Sequence, residues 1–283
     1  MNIYYCSGTG NEKLDFMNET YRVNVQELIS YEWEYGMSEN IGRNGGKITD
    51  FKRSIAQKEI TVAISGRNRT IYSEALNLFL MVTERDIQNL TPGRLYMGEN
   101  YLTCYLINSS PSSAWNPWIT FMEKQVSVLS EYPFWCTETT IEYLPSRRIE
   151  AESPYLDYSY CYPYDYLRDM SGIRILENGH FSSCDFQIVV YGPVLNPKIE
   201  IAGHPYEVYT TLYDDEYMMI DSRNGKVWKK TKDGNETNLF NYRRKDQSIF
   251  QKIPPGNSPV VFNQQFGFSV TLFKERSEPE WST

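Results

Sequence analysis

Two histidines, five cysteines and one dense run of acids are the residues of this chain whose types could do chemistry. A zinc site needs His, Cys or carboxylates clustered at workable spacing. Here Cys6, Cys104, Cys136, Cys161 and Cys184 fall at irregular intervals, with no CxxC pair. His180 and His204 each follow a glycine, Gly179 or Gly203, and read as loop positions. No metal is expected. A phosphate cradle needs glycines in a fixed frame. SGTGNE (Ser7–Glu12) lacks a third glycine and a following helical pattern, and GRNGGKI has Ile41 and Ile48 where a P-loop needs Gly and Ser or Thr. No GxSxG elbow supplies an activated serine. Asp214, Asp215 and Glu216 are the densest acids, but TLYDDEYMMID reads as a turn entering a strand and not as the carboxylate pair of a glycosidase. No catalytic, cofactor-binding or metal residue is assigned, and no cofactor is expected.

Rings remain. SEYPFW (Ser130–Trp135) places Tyr132, Phe134 and Trp135 around one proline, and YLDYSYCYPYDY carries Tyr155, Tyr158, Tyr160, Tyr162, Tyr164 and Tyr166. Exposed rings stack sugars or bases, whereas buried ones pack cores and subunit interfaces. Packing is the favoured reading for both clusters, and the tyrosine surplus points to an interface.

The elements that would position these residues are mostly strands. KEITVAISG (Lys58–Gly66), RLYMGENYLTCYLI (Arg94–Ile107), FMEKQVSVLSE (Phe121–Glu131) and CTETTIEYL (Cys136–Leu144) alternate as strands do. GRNGGK (Gly42–Lys47) signals a hairpin turn. After residue 180, DFQIVVYG, KIEIAG, EYMMID, KVWKK, SPVVF and FGFSVTLF continue the pattern. One helix is predicted over Glu74–Leu90, with Ser73 as N-cap and Leu76, Phe79, Leu80, Thr83 and Ile87 on one side. The polar, proline-bearing stretch Leu144–Tyr155 marks a boundary, giving a division into residues 1–145, with the helix, and 146–283.

Tyrosine supplies 23 of 283 residues, a bias toward pleated surfaces. A net charge of −8 argues against wrapping nucleic acid, which needs clustered Lys and Arg, but suits a wall past which DNA slides. The opening MNIYYCSGTGNEKLDF lacks the basic and apolar regions of a secretion signal, and no apolar run reaches membrane-spanning length. The cysteines are accordingly expected to be reduced and at least partly buried.

The order of the segments carries a further reading. ERDIQNLTPGRLYMGENYLTCYL is followed by KQVSVLSEYPFW, YGPVLNPKIEIAG, EYMMIDSRNGKVWKK, IFQKIPPGNSPVVF and VTLFKERSEPEW. Together these resemble the distal tail protein (Dit) family of long-tailed bacteriophages and prophages, from about Leu14 to Trp281. Asn196–Gly203, read as NPxIxIxG, and the IPPG turn at Ile253–Gly256 carry part of the likeness, while Met1–Lys13 and Ser146–Glu152 match nothing in it. The resemblance implies a mainly β chain of two β-sandwich-type domains, the first with one packed α-helix and the second galectin-like. It implies a structural protein and no enzyme: a homo-hexameric ring between tail tube protein and tail hub, at the distal end of the virion tail. Such a ring is made and assembled in the bacterial host cytoplasm, holds receptor-binding proteins in some cases, touches no membrane, and passes DNA without specific binding. On that reading SEYPFW anchors the first domain's sheet. The alternative is a carbohydrate-binding β-sandwich for host cell-wall glycans, which demands exposed coplanar rings; a wall-polymer hydrolase would rest on carboxylates alone.

Overall fold

The structure is a computed structural model describing residues 2–10, 12–39, 42, 44–112, 120–145 and 174–280. It forms two compact units, Met1–Thr137 with Glu275–Thr283, and Glu138–Lys274. The sequence reading divides the chain once, at 145/146; the structure divides it at 137/138 and returns the C-terminal residues to the first unit. The tyrosine cluster Tyr155–Tyr166 and the linker Ser146–Glu152 lie outside the described residues.

In the first unit the strands are β1 (Ile3–Cys6), β2 (Lys13–Asp15), β3 (Tyr21–Asn24), β4 (Glu34–Glu39), β5 (Gly46–Lys52) and β6 (Ala56–Ser65). Helix α1 (Arg69–Gln88) follows, then β7 (Gly93–Met97), β8 (Asn100–Pro111), β9 (Phe121–Ser130) and β10 (Trp135–Tyr143). β8 is shared. Its first half pairs with β7, in the order β2-β1-β7-β8, and from Tyr105 onward, across an irregularity at Leu106/Asn108, it pairs with β9, in the order β3-β6-β9-β8. The run predicted over Arg94–Ile107 is thus a hairpin, turned at Gly98, whose φ of 64° favours a residue without Cβ. Alternation aims Ile60, Val62 and Ile64 of β6 and Val126 and Val128 of β9 inward, where they meet Tyr5, Leu95, Leu102 and Trp135 in one core.

The helix, the only α-helix among the described residues, begins earlier than predicted. Asn68, not Ser73, is the N-cap, and its side-chain oxygen accepts from the Ile71 N–H at 2.9 Å. The buried side is Tyr72, Ala75, Phe79, Val82, Thr83 and Asp86, so Phe79 and Thr83 face the core as predicted while Ile87 lies exposed. Asp86, one residue earlier, takes the buried side, where three hydroxyl groups donate to its carboxylate.

The second unit contains the rest of β10, then β11 (Arg174–Asn178), β12 (Asp185–Tyr191), β13 (Val194–Leu195), β14 (Lys198–Ile201), β15 (His204–Glu207) and β16 (Thr211–Leu212). β17 (Tyr217–Asp221), β18 (Lys226–Lys230), β19 (Glu236–Asn238), β20 (Gly256–Val261) and β21 (Phe268–Arg276) complete the strands. A sheet ordered β19-β18-β17-β12-β21-β10 packs on one ordered β11-β20-β14-β15. Phe186, Ile188, Val190, Val270 and Leu272 from the first face Leu176, Ile199, Ile201, Tyr206 and Val260 from the second, which makes a β-sandwich core. The fold is mainly β, of β-sandwich type, as expected from the alternating runs. No helix among the described residues is long and apolar enough to cross a membrane.

Candidate functional site at an aromatic cage around Arg53

The residues considered first for chemistry are dispersed. His180 is buried against Phe181, and His204 is a strand residue, not a loop one, whose Nε2 donates to the Ser248 carbonyl at 2.8 Å. Cys104, Cys136 and Cys184 are buried and Cys6 is half-buried, all four as thiols outside any disulfide, and Cys161 lies outside the described residues. Among the described residues no three His, Cys, Asp or Glu side chains gather as a metal would require. Asp215 pairs with Lys232 at 3.4 Å and Glu216 with Lys229 at 3.7 Å, while Asp214 is exposed. These acids stabilise a turn, and two of them already face cations.

SEYPFW resolves into two halves. Pro133 and Trp135 point into the first unit's core, with Trp135 only 2% exposed. Tyr132 points out, 54% exposed, and its hydroxyl donates to Glu275 Oε2 at 2.7 Å. Phe134 lies between, with its ring centroid 4.8 Å from Tyr132 and 5.8 Å from Trp33. The three rings tilt by 43° and 61° in these pairs, so they share no plane on which a sugar could lie flat.

The cage they build holds a cation. The Arg53 guanidinium sits 4.8 Å from the Phe134 ring, 5.8 Å from Tyr31 and 5.9 Å from Trp33. Arg53 is not legible in the sequence, because the rings around it come from two segments distant from it and from each other. Its Nη1 is buried with no hydrogen-bond partner among the described residues. Desolvation pulls its pKa below the ordinary arginine value, the direction expected of a cation lacking an anionic neighbour. Beside it a cavity of about 20 Å³ is bordered by Ser30, Lys58, Ser130, Trp135 and Ser277, room for about one water or one ligand oxygen. Lys58 Nζ donates to Ser30 Oγ at 3.0 Å.

Arg53 directly follows the second strand of a hairpin. β4 and β5 pair only with each other among the described strands. Tyr35 opposes Phe51 and Met37 opposes Ile48, with an irregularity after Gly36. Period-two alternation puts these four side chains on one face. Glu34 and Lys52, paired at 3.5 Å, take the other face. The hairpin is amphipathic, yet Tyr35, Met37, Ile48 and Phe51 are each more than half exposed. A two-stranded ribbon alone is marginal in water, so an uncovered apolar face of this size marks a contact surface.

No protein-family model matches the chain, and no curated protein sequence matches it. Solved structures do. SPP1 Dit (gp 19.1), described as a paradigm of hub adsorption apparatus in Gram-positive infecting phages, aligns over 97% of this chain and 99% of its own, with a TM-score of 0.61 and 10% identity. A chain of the phage P2 baseplate in its activated conformation with Ca aligns over 99% and 100%, with a TM-score of 0.60 and 11% identity. A chain of the phage p2 baseplate with Sr gives 98% and 99%, 0.62 and 12%. The likeness first seen in the order of sequence segments therefore holds at the level of architecture: over nearly its whole length, this chain has the fold of a phage Dit protein.

Proposed function

We propose that this chain is a structural protein of a long-tailed phage tail tip, a homo-hexameric ring that joins the tail tube to the hub and leaves a channel for DNA. The observation that carries this reading is the full-length match in fold to SPP1 Dit and to phage P2 baseplate chains. A likeness covering both units at once is more specific than one β-sandwich resembling another. The exposed amphipathic hairpin supports assembly, since its apolar face needs a neighbour. The net charge of −8 suits a channel that DNA traverses without sticking. The protein then works at the distal end of the virion tail, after assembly in the host cytoplasm, as a scaffold and not as an enzyme. A glycan-binding role gains less support, because the rings around Phe134 share no plane.

Light scattering across a concentration series, with negative-stain images of the same samples, tests this. Particles of six copies around an open centre are the expected result. A chain that stays monomeric at every concentration, alone and with tube and hub proteins added, overturns the ring.

A further inference from the structure

Arg53 and Lys58 bring two positive charges to one small cavity of the first unit, and among the described residues neither has an ion pair. Three serines, Ser30, Ser130 and Ser277, border the same space, and no Asp or Glu does. Acids on the neighbouring segments have other partners: Glu27 accepts from the Glu59 N–H, Glu34 pairs with Lys52, and Glu275 accepts from the Tyr132 hydroxyl.

The donors left over can be named. Ser30 Oγ donates to the Glu27 carbonyl and Ser130 Oγ to the Thr103 carbonyl, each at 2.8 Å, so both hydroxyl protons are engaged. Lys58 Nζ gives one proton to Ser30 Oγ and keeps the others. Arg53 Nη1 is shielded from solvent and bonded to nothing among the described residues. The rings around it attract the guanidinium charge, but a ring face replaces water without offering a lone pair to an N–H group. A water molecule in the cavity would answer one N–H and leave two partly desolvated charges unbalanced. One anion answers the hydrogen bonds and the charge together. The cavity, about 20 Å³, has room for one monatomic ion, and tetrahedral oxyanions do not fit within it.

We propose that this cavity is a halide site, in which one chloride ion accepts from Arg53 Nη1 and from the Lys58 ammonium group. Arg53 directly follows β5 and Lys58 belongs to β6, so the bound ion ties the root of the hairpin to the sheet. The site belongs to the single chain and does not depend on the ring.

The test follows unfolding of the full chain by calorimetry while chloride replaces gluconate at constant ionic strength. The net charge of −8 repels anions at long range, so stabilisation by chloride has to come from a local site. With chloride at about ten times its Kd, linkage should raise Tm by about 2 °C or more. Arg53→Met should abolish the rise, and Lys58→Met should move its onset to about fivefold higher chloride. Bromide in crystals of the parent chain gives a readout that needs no variant: its anomalous signal should peak between Arg53 and Lys58. Water alone in that place, a carboxylate of a neighbouring molecule there, or a Tm indifferent to chloride overturns the site. An Arg53→Met chain that folds and keeps the full chloride response overturns it as well. A bromide peak without a chloride-dependent Tm marks an adventitious ion only, and also overturns it.

Discussion

Ser7 Oγ donates to Asp86 Oδ1 at 2.6 Å, tying the exit of β1 to the last turn of α1. The Tyr5 hydroxyl donates to Oδ2 at 2.8 Å, and Thr9 Oγ1 donates to Oδ1 at 2.9 Å. A carboxylate near a helix C-terminus opposes the helix dipole, and a buried one also pays desolvation, so this position needs its three donors. Next to it, Arg85 pairs with Glu12. The N-terminal strand is therefore pinned to the helix by polar groups as well as by the apolar contacts of Tyr5.

Asp86→Ala should accordingly be costly, because it leaves the buried Tyr5 and Ser7 hydroxyls without their acceptor, while the exposed Thr9 hydroxyl can turn to water. At about 1 kcal/mol or more for each stranded group, a loss of about 2 kcal/mol is expected in urea unfolding. Asp86→Asn keeps one acceptor oxygen and should lose less. An alanine variant within about 0.5 kcal/mol of the parent contradicts the clamp.

The two halves of SEYPFW should separate in the same assay. Trp135→Ala removes a ring from the first core and should cost about 3–5 kcal/mol. Tyr132→Ala removes an exposed ring and one exposed hydrogen bond to Glu275, for less than about 1 kcal/mol. Equal losses from the two substitutions are incompatible with the division between inward and outward residues.

What could be read in the sequence follows from what local spacing can encode. GRNGGK marks its hairpin because glycine backbone freedom is a local property; Gly42 and Gly45 both take positive φ. Alternation in KEITVAISG likewise identifies the inward residues of β6. Ser73 is a good capping type, so local sequence places the helix start there, yet it lies inside a helix already begun after Asn68. Nothing in the local sequence singles out Asp86, since its donors sit some 80 positions away in β1 and the loop after it. The Arg53 cage is hidden from local spacing for the same reason, being assembled from residues near 31–33, 53 and 134. Alternation in β4 and β5 specifies an apolar face but carries no information about what covers it. That face is visible as unfilled only once the rest of the unit is in place.

Alkaline pH should weaken the fold through groups that burial holds neutral. Burial pushes the Cys104 thiol up to about 12 from its ordinary 9.0, and the Tyr21 and Tyr143 hydroxyls up to about 12 from 10.0. All three bind their protons more tightly folded than unfolded. Their contribution is complete below about pH 9, where neither state ionises, and is lost as pH rises toward about 12, because the unfolded chain sheds these protons first. Urea midpoints taken at about pH 8, 9.5 and 11 should fall steadily, and Cys104→Ala should flatten the first part of the descent. Tyr21 and Cys104 belong to the first unit and Tyr143 to the second, so both units should lose stability over this range. A midpoint constant from about pH 8 to about pH 11 contradicts the assignment of these groups as neutral buried acids.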